Sequence, residues 1–451
     1  MNILLISTYE LGRQPFGLAS PAAWLRAAGH EVACQDLAQE KLSAERVRAA
    51  ELICFYLPMH TATRIVLRAM ERVRQWNPAA RIGCYGLYAS LNEELLWSLG
   101  VDFSIGGEFE KELVELANDG ARDGKRTKTS FERLRFRVPD RSGLPPLARY
   151  GKLRLPDGSV RVVGYTESSR GCKHLCRHCP VVPVYAGAFR IVQPEIVLAD
   201  IRQQVAAGAR HITFGDPDFF NGPRHAMKIV TALRRGFPET SYDVTIKVEH
   251  LLKHAELLPK LRETGCAFVT TAVESLDDDV LRLLDKGHTR ADFRRVVELM
   301  RAADLVLSPT FIPFTPWTTL ESYADLLQAI AALELIENVA PVQLSIRLLI
   351  TQGSRLLELR EVQEKIEGFD QGALSYRWRN KDPRVDELQR EVEACVADGA
   401  RRGLSRAQTF EQIWKLAQAS RDSDERAGLP SFAPALVARA AIPYLTEPWY
   451  C

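Results

Sequence analysis

Short apolar runs alternate with amphipathic stretches along most of this chain, and the two periods give a first account of its architecture. Between residues 1 and 120, strand-like runs at Ile3 to Ser7, Glu31 to Cys34, Leu52 to Leu57, Arg81 to Tyr85 and Asp102 to Ile105 are separated by helical patterns such as Thr61 to Gln75. This alternation predicts an α/β fold whose first part is a doubly wound, Rossmann-like parallel sheet. Any ligand is expected at the carboxyl ends of its strands, where the loops Thr8 to Leu18, Pro58 to Thr61, Gly86 to Ser90 and Gly106-Gly107-Glu108 stand.

Residues 121 to 163 break the rhythm. Arg122, Lys125, Arg126, Lys128, Arg133, Arg135 and Arg137 precede a stretch from Pro139 to Pro146, which reads as a linker wrapping between two domains. A phosphate- or RNA-binding patch is the sharper alternative, and the scarcity of interleaved aromatics beyond Phe131 and Phe136 weighs against it. From 164 to 350 the alternation resumes, with strands expected at Gly164 to Ser168, His211 to Phe214, Tyr242 to Val248, Ala267 to Ala272, Leu305 to Phe311 and Val342 to Leu348. Six such units fit a partial (β/α)6 barrel with its reactive residues at the carboxyl ends of the strands. Residues 351 to 451 form a charged, helical C-terminal region, with patterns at Arg355 to Glu367, Val385 to Val396 and Thr409 to Gln418.

Composition narrows the class without changing the architecture. The chain has 451 residues, 46% of them hydrophobic, enough for more than one core, and its formal charge of +2 makes no basic field for nucleic acid. The apolar start Met1 to Ser7 is too short for a signal peptide, and no stretch reaches membrane-spanning length, so a cytoplasmic protein is expected. Nine cysteines without a secretory signal argue for reduced thiols, and Cys34, Cys54, Cys84 and Cys266 sit in apolar runs as small hydrophobes.

Three other cysteines carry the chemistry. Cys172, Cys176 and Cys179 fall within the run Ser169-Arg170-Gly171-Cys172-Lys173-His174-Leu175-Cys176-Arg177-His178-Cys179-Pro180. Three thiolates can hold three irons of a 4Fe-4S cluster and leave the fourth open to a small molecule. Zinc with His174 or His178 as fourth ligand is the alternative, but no second Cys-x-x-Cys pair lies downstream to complete such a site.

The spacing Cys-x-x-x-Cys-x-x-Cys, in the context GYTESSRGCKHLCRHCPVVPVY, resembles radical S-adenosylmethionine (SAM) enzymes, in particular the subgroup with an N-terminal cobalamin-binding-type domain. The resemblance implies that the cysteines hold the cluster, that the open iron chelates SAM, and that reductive cleavage yields a 5'-deoxyadenosyl radical that abstracts hydrogen from substrate. It places His178 where the family has an aromatic residue against the adenine. The acidic turn Phe214-Gly215-Asp216-Pro217-Asp218-Phe219 would contact the SAM amino group, with Gly215 permitting close backbone approach and Asp216 accepting from the ammonium. Glu274 and Ser275 would reach the ribose and methionine portions, although Ser275 also suits an N-cap for Asp278 to Leu284. Lys247 is a partner for the SAM carboxylate or for neighbours such as Glu249. The run Leu284-Asp285-Lys286-Gly287 also matches a family pattern, and Pro309 to Trp317 suits a rigid wall against adenine or substrate.

The resemblance also implies cobalamin in the front domain. The Asp-x-His-x-x-Gly element that supplies a lower cobalt ligand is absent after the first strand, so cobalamin is expected without that histidine, the alternative being a sheet that does without the cofactor. The opening LLISTYELGRQPFGLASPAAWLRAAGHEV and the ending at Cys451 resemble radical SAM proteins with Cys-Cys-Ala-Glu-Pro or Cys-selenocysteine-Ala-Glu-Pro tails. That likeness implies a selenocysteine beyond Cys451 and a redox role for Cys451. The expected function is therefore SAM cleavage on an unassigned small-molecule or peptide substrate, with methyl transfer through cobalamin as one continuation and a flavodoxin or ferredoxin as reductant. A non-enzymatic iron-sulfur carrier is the alternative from another class, and a zinc-stabilised nucleic-acid module is a weaker third.

Overall fold

The computed structural model describes residues 1–119, 126–421 and 440–447. Its first sheet contains β1 (Asn2–Ser7), β2 (Glu31–Asp36), β3 (Leu52–Tyr56), β4 (Arg81–Tyr85), β5 (Phe103–Gly107) and β6 (Arg126–Ser130), all parallel and in the order β2-β1-β3-β4-β5-β6. Alternate residues of each strand feed different cores. Leu4, Ile6, Ile53, Phe55 and Ile82 join one buried cluster, while Ile3, Leu5, Leu52, Cys54 and Phe103 join the other. A sheet buried on both faces explains why these strands read as continuous apolar runs. Residues 126–130, read as linker from their charge, instead add the sixth strand. Lys128, for example, pairs with Glu115 at 3.4 Å and also with Glu112.

The second sheet begins with an antiparallel pair, β7 (Lys152–Arg154) and β8 (Val160–Thr166). The short antiparallel pair β9 (Ser169–Gly171) and β10 (Phe189–Ile191) then brackets the cysteine loop. From β8 a parallel sheet extends through β11 (His211–Phe214), β12 (Ser241–Thr245), β13 (Cys266–Glu274) and β14 (Leu307–Phe311), with helices between successive strands. The sixth expected strand differs: Pro341–Leu344 forms a 3-10 turn, and only an isolated parallel bridge from Phe314 to Arg347 continues the sheet. Pro341 opens the turn, while Pro313 and Pro316 flank Phe314 with no amide hydrogen to offer a ladder.

The helix expected over Arg355 to Glu367 is reduced to two short turns, Arg355–Glu358 and Arg360–Gln363. They lead into a hairpin of β15 (Ile366–Asp370) and β16 (Ser375–Trp378), closed where Asp370 Oδ1 accepts from the amides of Gly372 and Ala373. Two long helices follow, Pro383–Arg402 and Arg406–Ala419. Val385, Leu388 and Val392 of the first and Phe410, Ile413 and Trp414 of the second enter the barrel core. A final strand, β17 (Tyr444–Leu445), adds to β7. No helix among the described residues is long and apolar enough to cross a membrane.

The two sheets meet through charge as well as apolar contact. Arg170 on β9 donates to Glu110 at 2.7 and 3.0 Å, to Glu108 at 3.1 Å and to Glu167 at 2.7 Å. Its guanidinium also faces the rings of Phe16, Phe109 and Phe136. The carboxyl end of β5 is thereby joined to the strand that leads into the cysteines.

Candidate cofactor site at the barrel mouth

The cysteine loop leaves β9 and is clamped by backbone and side-chain bonds from distant segments. Arg177 donates to the carbonyls of Leu284, Arg282 and Leu283, Arg355 donates to the Leu175 carbonyl, and Ser354 donates to that of Arg177. On the other side, Lys173 donates its amide to Asn221 Oδ1 and its ammonium to the Asn221 carbonyl. Cys176 is buried and Cys172 and Cys179 are half-buried. Burial pushes the Cys179 thiol up to about 12, and the neighbouring thiols Cys176 and Cys172 push in the same direction. Cys172 is likewise raised, first by burial. Buried cysteines held as thiols, as Cys172 and Cys179 are, need a bound cation to become thiolates, so this donor set fits an iron cluster.

Around the thiols stands a set of buried ionic groups. Lys247 Nζ lies 3.6 Å from Cys176 Sγ and 3.6 Å from Glu249 Oε2. Glu274 sits at the end of β13, beyond a register shift against β14 between Ala272 and Glu274, and it adopts a left-handed φ of 68°. A bulge of this kind re-aims a side chain at a strand end. Glu274 Oε1 accepts from Lys286 Nζ at 3.2 Å and lies 3.3 Å from His178 Nε2. Despite burial, Lys286 and His178 hold the Glu274 carboxyl at about 2, with Lys286 the stronger influence. The same carboxylate raises Lys286, and Cys176 and Cys179 add to the effect. His288 is buried nearby, its pKa lowered to about 4 by burial and by the charges of Lys286 and Lys247. Among the described residues, neither His288 nitrogen nor His178 Nδ1 makes a hydrogen bond of regular geometry, although the Lys286 backbone lies within reach of His288. Paired charges and unmatched ring nitrogens beside a cysteine trio fit a zwitterionic, polar ligand such as SAM.

The sequence-derived residues separate into two groups. His178, Lys247 and Glu274 converge on the cysteines. Asp216 is turned away from this set: its carboxylate accepts from the Ser168 amide at 2.9 Å and from the hydroxyls of Ser168 and Ser169 at 2.6 and 2.5 Å, which fixes the strand entering the loop. Burial nonetheless raises its pKa to about 6. Gly215 makes room for the Tyr165 ring, because a Cβ there would collide with the tyrosine hydroxyl. Replacing Gly215 by alanine is therefore expected to cost about 1–3 kcal/mol, read as a lowered thermal midpoint; an unchanged midpoint would contradict this packing role. Ser275 faces a separate cavity of about 190 Å³ lined also by Asp277, Arg290, Ile312 and Thr315. The N-cap of Asp278–Leu284 is Asp277 rather than Ser275, whose hydroxyl accepts from the Asp277 amide. Cys451 lies outside the described residues.

Lys286 and His288 carry no assigned role in the sequence reading. The only signal for them is their place in and just after the Leu284-to-Gly287 run. Burial bears out the reading of Cys34, Cys54, Cys84 and Cys266 as apolar fillers, and it raises all four thiols.

Residues 166–330 match the radical SAM superfamily model. The hopanoid C-3 methylase of Methylococcus capsulatus is 24% identical over 334 residues, covering 68% of this chain and 63% of the methylase. The chain thus spans less than two thirds of that relative's length. In fold, it is similar to the cobalamin-dependent SAM radical enzyme OxsB with aqua-cobalamin and SAM bound, at a TM-score of 0.67 and 14% identity over 87% of this chain and 66% of OxsB. It is also similar to the radical SAM methyltransferase TsrM of Kitasatospora setae with tryptophan substrate and aza-SAM bound, at 0.67 and 15% identity over 98% and 93%. The curated relatives are enzymes.

Proposed function

We propose that this chain is a radical SAM enzyme in which Cys172, Cys176 and Cys179 hold a 4Fe-4S cluster and the neighbouring ionic groups bind SAM. The observation that carries the reading is the convergence of the three cysteines with Lys247, Lys286, Glu274 and His178 at the carboxyl ends of parallel strands. When bound there and reduced, such a cluster would supply one electron for reductive cleavage of SAM, and with it the means to abstract hydrogen from an unassigned substrate.

The chain's own groups bind and orient. Lys247 and Lys286 place positive charge beside the cysteine sulfurs and offer donors to the SAM carboxylate. Glu274, kept ionised by its partners, accepts from the SAM ammonium or a ribose hydroxyl. His288, neutral near pH 7, offers one donor and one acceptor in the same buried space. Asp216 acts one step back, by holding Ser168 and Ser169.

We assign cobalamin to the front sheet, on the likeness to the two cobalamin-type folds. At the carboxyl ends of its strands, His60 Nε2 lies 2.5 Å from the Ala373 carbonyl oxygen and is engaged there, while Thr8 Oγ1 donates to Ala62 and Tyr85 to Gly17. This fits cobalamin held without a lower histidine, and when bound it would supply a carrier for methyl transfer. The reductant is expected to be a flavodoxin or ferredoxin. The test is anaerobic reconstitution with iron and sulfide, then dithionite and SAM. Production of 5'-deoxyadenosine or S-adenosylhomocysteine by the native chain, and neither by Cys176→Ala, supports the proposal. A reducible cluster that leaves SAM intact supports the electron carrier instead.

A further inference from the structure

Beside the cysteine loop, three side chains from separate elements bring ligand-type atoms together. His174 belongs to the loop between Cys172 and Cys176, Asp218 to the turn after β11, and His250 to the helix Val248–Lys253 after β12. Asp218 Oδ2 lies 2.6 Å from His250 Nδ1 and 3.4 Å from His174 Nε2, and the three atoms all fall within 4.8 Å of one another. The Asp218 side chain has no solvent exposure, and that of His250 is 10% exposed.

The distances alone are those of two His–Asp contacts. Among the described residues, however, none of the three atoms makes a hydrogen bond of regular geometry. Buried ligand-type atoms this close, from three separate elements, are placed to share one central ligand. The surroundings reinforce this. Asp218 Oδ1 is committed to the Phe220 amide at 3.1 Å, which leaves Oδ2 for the cluster of atoms. Glu249 Oε2 lies 3.5 Å from His174 Nδ1. A carboxylate near the far nitrogen of an imidazole is a common outer-shell companion of metal-binding histidines.

We infer that His174, Asp218 and His250 form a mononuclear site for a first-row divalent transition metal, separate from the ligand set of the cysteines. Two imidazoles and one carboxylate suit Fe²⁺ or Zn²⁺; calcium and magnesium favour oxygen-only shells, and soft monovalent copper favours sulfur. Among the described residues three protein ligands converge, so coordination positions remain for water or another small ligand. Because the ligands come from the cysteine loop and from the ends of two strands, an ion there ties that loop to the barrel mouth.

Two measurements test the site, and neither reads turnover. The variant Cys172→Ala/Cys176→Ala/Cys179→Ala is titrated anaerobically with Co²⁺. The expected result is about one equivalent bound, with visible d–d bands, no thiolate charge-transfer band, and loss of the bands on adding His250→Phe. In parallel, the reconstituted native chain is analysed for iron, zinc and sulfide. About one equivalent of iron or zinc beyond the cluster is expected, with its identity naming the ion, and Asp218→Asn should lose that equivalent while keeping the cluster's absorbance. Absence of Co²⁺ bands in the cysteine-free variant, or an unchanged metal count in Asp218→Asn, overturns the site and leaves the trio as a mechanical anchor of the loop. The cysteine-free arm is independent of whether the native chain cleaves SAM.

Discussion

Arg170→Met is expected to lower the unfolding free energy by about 3–5 kcal/mol, because it strips the guanidinium from the buried Glu108 and Glu110 and the half-buried Glu167. Arg170 reaches Glu108, Glu110 and Glu167 within 3.1 Å, and its own side chain is 7% exposed. Methionine fills similar volume against Phe16, Phe109 and Phe136 but answers none of the charges. Glu108→Gln is expected to be much milder. Burial, partly opposed by Arg170, raises the Glu108 carboxyl to about 7, so this group takes up its proton as pH falls through neutral. The sign follows from linkage: a folded pKa above the unfolded value near 4.5 means that folding gains stability as pH falls from above 7 toward 4.5. Glu108→Gln should flatten that part of the profile. Urea unfolding of the native chain, Arg170→Met and Glu108→Gln across this range checks both statements; a mild Arg170→Met or a pH profile unchanged by Glu108→Gln contradicts them.

What the sequence reveals about this molecule follows from how local each signal is. The front sheet is legible because runs such as Ile3 to Ser7 and Leu52 to Leu57 are covered on both faces, so burial is written into consecutive residues. The cysteine loop is legible because all three thiols lie within eight residues. The 126–130 strand is hidden because its solvent-rich edge reads as charge, and its pairing with β5 depends on backbone register. Likewise, Arg355 to Glu367 carries helical composition, but the turn at Asp370 to Ala373 recruits its second half into a hairpin. The site divides in the same way. Glu274 is found through its strand-end motif, whereas Lys286, His288 and the His174–Asp218–His250 trio become visible only when separate strand ends are placed side by side. Asp216 shows the converse: an acidic residue in the expected turn serves the backbone of the preceding strand.

The second large effect is expected at Lys286. Lys286→Met leaves the buried Glu274 carboxylate with His178 as its one remaining partner, and a loss of about 3–5 kcal/mol is expected, together with loss of SAM binding. The double variant Lys286→Met/Glu274→Gln removes both charges and should recover most of the stability without recovering SAM affinity, so a double-mutant cycle separates folding from binding. The pH dependence supplies an independent check. Glu274 is held at about 2 against an ordinary 4.5, so the pair's contribution is complete above 4.5 and is lost as pH falls toward 2. That acid-sensitive contribution should be missing from both variants. Urea midpoints down the acid limb, with equilibrium dialysis of SAM at neutral pH, distinguish the outcomes. A double variant as unstable as Lys286→Met would show that lysine packing, rather than the ion pair, holds this corner of the barrel, and a double variant that binds SAM normally would remove both charges from the cofactor site.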